Sequence, residues 1–134
     1  MRRLAFAFVL AVLVVPAMAG AGGPPFKATL TAPGHTPKVL TKWHYVIKVV
    51  DLHGKPIAAR LTMTIKDPTG SVHPVQYAAT KKNITSWPIK GRFTDYIIWP
   101  ADSKLASIVG GLVLRAKVTA GGSSVMLTYR VKPR

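Results

Sequence analysis

From residue 26 onward the chain is written in short runs that alternate apolar and polar residues, the period of a half-buried β-strand. The run over 39–51 is the longest. Trp43, Tyr45, Ile47 and Val49 share one face, which is read as the core face, and Lys42, His44, Val46, Lys48 and Val50 share the other. A second run over 57–66 sets Ala59, Leu61, Met63 and Ile65 against Arg60, Thr62, Thr64 and Lys66. Between them lies DLHGKP, where Gly54 supplies a positive φ and Pro56 fixes the exit. The stretch 43–65 therefore reads as a hairpin on which the remaining strands build.

The same pattern continues on both sides. Residues 26–32 alternate Phe26, Ala28 and Leu30 against Lys27, Thr29 and Thr31. Asp67-Pro68-Thr69-Gly70 is a type I turn signal, and the weaker run over 71–80 is confined to a sheet edge by Pro74. Residues 91–100 are aromatic and β-branched, but their facing is ambiguous, because Asp95 falls on the face of Phe93, Ile97 and Trp99 while Tyr96 and Ile98 share the other; a bulge would resolve it. Residues 101–111 are the one helical candidate, with Asp102 or Ser103 as cap and Gly110 as stop. Runs over 112–120 and 124–132 flank Gly121-Gly122, a two-residue hairpin turn. Seven or eight short strands with regular turn signals and no long helices define an all-β chain, an antiparallel β-sandwich.

The first nineteen residues differ from the rest. Met1-Arg2-Arg3 is a basic head, residues 4–15 are an unbroken apolar run, Pro16 breaks it, and Ala17-Met18-Ala19 offers small residues for cleavage. This is the pattern of a secretory signal peptide, and the run is too short for a spanning helix of ~20 residues. The expected division is a signal peptide over 1–19, a flexible leader over 20–25 (GAGGPP) and one sandwich domain over 26–134. The implied location is outside the cytoplasm: secreted, periplasmic or attached to the cell envelope. There is no Cys, so the core must hold without disulfides, although export would permit them.

The spacing of Val49, Asp51, Gly54, Pro56, Ile57 and Leu61 resembles the corresponding region of bacterial secreted immunoglobulin-like domains, such as invasin-type repeats. Residues 91–100, with the strand pair that follows, are similar to those of small actinobacterial-type exported proteins. The resemblance implies an immunoglobulin-like sandwich of seven or eight strands.

Charge narrows the partners. Nineteen Lys and Arg face four Asp and no Glu, a formal net charge of +15 over 134 residues. Loss of Arg2 and Arg3 with the signal peptide would leave seventeen cations against the same four acids. Such a field attracts anionic polymers and membrane surfaces, although alternating Lys is also what a solvated strand face looks like. No basic run exceeds Lys81-Lys82, and the pattern identifies no exposed aromatic-and-basic platform, so nucleic acid is not an expected partner.

Candidate chemistry is sparse. Asp51, Asp67 and Asp102 sit at turn or cap positions, leaving no pair of carboxylates for acid–base work. Ser123 and Ser124 lie beside a hairpin turn, a poor scaffold for a nucleophile. No cofactor is implied, and no enzyme is expected. The histidines His35, His44, His53 and His73 lack the close spacing of a zinc site, but strands bring distant residues together, and His35 with His44 is the candidate copper or zinc pair, with Met63 and Met126 as further soft donors. Two functions follow as expectations: a non-catalytic envelope module whose basic surface meets an anionic envelope polymer, lipid headgroups or another envelope protein, and, as the alternative, an exported copper- or zinc-binding protein.

Overall fold

In the computed structural model the described residues are 15–16 and 25–134. The expected signal peptide and leader therefore lie outside the described residues, apart from Val15, Pro16 and Pro25. The strands are β1 (Val15–Pro16), β2 (Phe26–Thr31), β3 (Lys42–Asp51), β4 (Ala58–Lys66), β5 (Val72–Pro74), β6 (Trp87–Lys90), β7 (Arg92–Ile98), β8 (Leu112–Ala120) and β9 (Ser123–Val131). One short helix, α1 (Lys104–Ile108), follows a 3-10 turn at Ala101–Ser103. All pairings are antiparallel. One layer is β1-β2-β3-β7; the other is β4-β8-β9, with β6 and β5 along the free edge of β4. The protein is an all-β sandwich.

The alternation read from the sequence is the alternation of burial. Phe26, Ala28, Leu30, Trp43, Tyr45, Ile47 and Val49 face inward from one layer. Ala59, Leu61, Met63, Leu114, Ala116, Val118, Val125, Leu127, Tyr129 and Val131 face inward from the other. Each fully buried large side chain of this set contributes ~1.5–3 kcal/mol. Aromatic rings fill one end, where Trp43 meets Trp99 edge-on at 5.6 Å and Tyr129 at 5.7 Å. Gly121 and Gly122 both have positive φ, and Ala120 pairs with Ser123 across them, as a type I′ hairpin requires.

The stretch 43–65 is not a hairpin. β3 and β4 begin to pair at Val50 and Pro56 and then diverge into opposite layers. Gly91 occupies the point where they part. The Val49 N–H donates to the Gly91 carbonyl at 2.8 Å, and the Gly91 N–H donates to the Ile57 carbonyl at 3.0 Å. At this residue the chain itself passes from β6 in one layer to β7 in the other, joined by the single pair Lys90 and Arg92. Gly91 holds φ +76°, and a Cβ there would stand 2.5 Å from Pro56 Cβ, so no other residue fits without displacement.

Three other expectations are corrected, and the open facing of β7 is settled. Residues 39–41 are not strand: Leu40 turns to φ +64° and donates to the Trp99 carbonyl, while Val39 donates to Arg134. The 71–80 run keeps only Val72–Pro74 as strand, because the Tyr77 carbonyl closes a tight loop with the Lys81 amide. No bulge relieves β7, whose register with β3 is unbroken from Lys42–Ile98 to Lys48–Arg92, so Asp95 is buried. Neither Asp102 nor Ser103 caps α1 with its side chain. Ser103 already has helical dihedrals, whereas a capping residue is extended, and its hydroxyl donates back to Pro100.

Replacing Gly91 with Ala is expected to lower unfolding stability by about 2 kcal/mol or more, from the strained φ and the clash with Pro56. Gly34→Ala, where a Cβ meets nothing within 4 Å, is the control and should change stability by less than about 0.5 kcal/mol. Denaturant unfolding of the two variants measures the difference.

Candidate functional site

The four carboxylates are placed first, because they decide what the cations can do. Asp51 closes the β3–β4 connection: its Oδ1 accepts the amides of His53 at 2.8 Å and Lys55 at 2.9 Å. Asp67 closes the next turn, accepting the Thr69 and Ser71 amides at 2.9 and 3.1 Å, and its Oδ2 meets His73 Nε2 at 2.8 Å. Asp95 is buried and accepts the Ala78 amide at 3.1 Å. Asp102 is exposed in the 3-10 turn. Not one lies on an outward sheet face. Among the described residues the His73–Asp67 contact is the only ion pair within 4.0 Å, so none of the seventeen described Lys and Arg side chains is paired.

Register then assembles the outward faces. On the β4-β8-β9 face, Arg115 lies between Thr64 and Thr128, and Lys117 lies between Thr62 and Met126. Val113 separates Lys66 from Arg130, and Arg60 opposes Thr119. This face carries Arg60, Lys66, Arg115, Lys117 and Arg130 with hydroxyls interleaved and no carboxylate. Residues two apart on a strand stand about 6.8 Å apart, where two unit charges repel by about 0.6 kcal/mol in water. The fold tolerates such terms singly, and a polyanion laid across the face removes them together. Arg60 and Arg130 also donate to the Ser86 and Gly110 carbonyls at 2.9 and 3.3 Å, which limits their freedom.

The β2-β3-β7 face is basic in the same way, with Lys27, Lys42, Lys48 and Arg92. It also holds a feature the sequence pattern did not identify. His44 is paired with Tyr96 across the strands at 5.6 Å between ring centroids, and Lys42 Nζ lies 4.8 Å from the Tyr96 ring centre. The absence of a bulge in β7 was the missing information, because it sets Tyr96 outward beside His44.

The two candidate metal-binding histidines have different surroundings. His35 stacks on Tyr129 at 4.2 Å and 8°, and its Nδ1 donates to the Arg130 carbonyl at 2.6 Å. His44 stands on the outer face beside Tyr96. Met63 is buried in the core, while Met126 is on the outer face of β9. Among the described residues no three His, Cys, Asp or Glu side chains group as metal ligands.

Asp95 forms part of the wall of a groove of about 300 Å³ lined also by His44, Tyr77, Thr94 and Tyr96. In the core behind it, the Tyr45 hydroxyl lies within electrostatic reach of the Asp95 carboxylate, but no partner around it meets hydrogen-bond geometry. Burial, and then the Asp95 charge, push the Tyr45 phenol far above its ordinary range. Comparisons with protein-family models, with curated proteins and with solved structures found no match. The surface itself therefore carries the functional reading.

The turn acids predict a pH dependence. The Lys55 amide lowers the Asp51 carboxyl, and the His73 ring followed by the Thr69 hydroxyl lowers the Asp67 carboxyl, both from an ordinary value of 3.8. A carboxyl lowered on folding contributes stability above its unfolded value that is lost as pH falls toward its folded value. Thermal unfolding should therefore show stability falling as the pH drops below about 4. Asp51→Asn and Asp67→Asn should each be less stable than wild type at neutral pH and show a shallower acid loss. Identical acid profiles for wild type and both variants would contradict the assignment.

Proposed function

We propose that the protein is a non-catalytic, exported module of the cell envelope, built on an immunoglobulin-like sandwich, that holds an anionic envelope polymer against its basic sheet faces. The observation that carries this reading is the β4-β8-β9 face, where five cations are interleaved with Thr62, Thr64, Thr119 and Thr128 and, among the described residues, none lies within ion-pair distance of a carboxylate; Asp67 borders the Lys66 and Arg130 end. Rigid strands fix the spacing of these charges, so a chain of regularly repeated phosphates or carboxylates meets several at once, and its counterions are released on binding. A flat antiparallel face also suits an extended chain better than a compact ligand.

The immunoglobulin-like assignment is supported by strand order. If β2, β3, β4, β7, β8 and β9 are lettered A, B, C, E, F and G, the layers are A-B-E and C-F-G, the arrangement of that fold. Export is supported by the basic head, apolar run and small-residue site in residues 1–19. Among the described residues no helix is long and apolar enough to cross a membrane.

Long-chain polyphosphate is a suitable probe. Its affinity should fall steeply with salt, and Arg115→Gln with Lys117→Gln should weaken it by about fivefold to tenfold and reduce the slope of log affinity against log salt by about 1–2. Lys81→Gln with Lys82→Gln removes equal charge from a loop and should have a smaller effect. Equal effects of the two pairs, or salt-insensitive binding, would contradict the reading.

A further inference from the structure

One end of the sandwich exposes apolar surface that the core does not use. Of the eight large apolar side chains exposed among the described residues, five are Leu40, Ile98, Leu105, Ile108 and Val109. Ile108 is 79% exposed and Leu40 67%. Backbone contacts bring these segments together. The Leu40 amide donates to the Trp99 carbonyl, the 3-10 turn and α1 follow directly from Trp99 and Pro100, and Ser107 Oγ bonds the Pro133 carbonyl. The Val39 amide donates to Arg134, and Arg134 donates back to Pro37. Residues 37–40, 98–109 and 133–134 thus form one tip.

Two features of this tip are unfavourable to the isolated fold. Leu40 is held at φ +64°, a region costly for a side chain with a Cβ, and its side chain gains no burial in return. α1 has no buried residue at all, so a helix containing Leu105 and Ile108 turns both to solvent. Backbone strain and contiguous exposed apolar surface are both associated with binding sites. The same segments and their chain neighbours carry Lys38, Lys42, Lys104, Lys132 and Arg134, against Asp102 in the 3-10 turn and Asp67, which shares a groove with Val109. Ile98 and Val109 each border a surface groove, while Leu40, Leu105 and Ile108 project from a turn and a helix and line neither.

We infer that this tip is a membrane contact, in which Leu40, Leu105, Ile108 and Val109 enter the headgroup region of an anionic bilayer while the surrounding lysines meet its phosphates. A convex apolar knob with a cationic rim matches a surface that is apolar below and negative above. The lysine stems reach the headgroups while the leucine and isoleucine side chains lie deeper. A protein partner would need a complementary acidic rim around an apolar pocket. The tip adjoins the polymer-binding sheet face, because Arg130 donates to the Gly110 carbonyl and Val109 shares a groove with Lys66 and Arg130, but its apolar side chains are not part of that face, so each reading can fail without the other.

The absence of cysteine allows a single environment-sensitive dye to be placed at will in the full chain. With a dye at Ile108→Cys, vesicles of phosphatidylglycerol and phosphatidylcholine in equal parts should shift the emission to the blue. Vesicles of phosphatidylcholine alone should shift it much less. With the dye at Leu52→Cys, in the turn at the opposite end, neither vesicle should have an effect. The double variant Leu105→Gln, Ile108→Gln should lower partitioning into the anionic vesicles by about tenfold while melting as wild type does, since both side chains are already exposed. No shift at residue 108, equal shifts at 108 and 52, or unchanged partitioning of the double variant would overturn the inference. The last result is also what insertion through residues 4–15 alone would give. Polyphosphate binding, measured on the same double variant, should be retained.

Discussion

Four carboxylates are too few to neutralise the seventeen Lys and Arg among the described residues, and the fold uses them elsewhere. Two of them close turns through their own backbone amides. A third is buried against the Ala78 amide. The fourth sits in the 3-10 turn. The outward faces therefore carry unscreened positive charge fixed in register by the strands. Each repulsion is a few tenths of a kcal/mol in water, which a core of this size withstands. The charge is most directly relieved by an external polyanion, and the proposed function rests on that imbalance.

The sandwich shapes how this charge is presented. Because β3 and β4 part at Gly91 into opposite layers, the lysines of β3 and the arginine of β4 face away from each other on two surfaces. A hairpin would have placed them side by side on one. The two faces also differ in chemistry. One is a lattice of hydroxyls and cations around Arg115 and Lys117, whereas the other joins Lys42 to the His44 and Tyr96 rings. At one end of both, the strained Leu40 turn and α1 expose the apolar side chains that suit a bilayer.

Much of the fold was legible because alternation reports burial directly. The inward residues of β2, β3, β8 and β9 follow from period two alone, and Gly121-Gly122 and Asp67–Gly70 carry their turn chemistry in their sequence. Pairing was less legible. Alternation is the same whether a strand joins its sequence neighbour or crosses to another layer, and the Gly91 contacts that separate β3 from β4 come from more than thirty residues away. Asp95 could be placed inside only once β7 was known to be unbroken. For the candidate surface, every cation was visible in the sequence, but their ordinary reading is a solvated strand face. What changes it is the register that sets Arg115 between two threonines and Lys117 between Thr62 and Met126, with no acid within ion-pair distance of either. His35 and His44 were grouped by position in the chain, and loop geometry sends one to Tyr129 and the other to Tyr96.

The most direct measurement is residue-by-residue mapping of a bound polyanion by nuclear magnetic resonance, titrating polyphosphate into the isotope-labelled protein. The account predicts the largest shifts at Thr62, Thr64, Arg115, Lys117 and Thr128, all on one face of β4-β8-β9. It predicts little change at buried Leu61 and Leu127, or at the paired His73. Perturbations spread evenly over all exposed lysines, or confined to the Lys81–Lys82 loop, would contradict it.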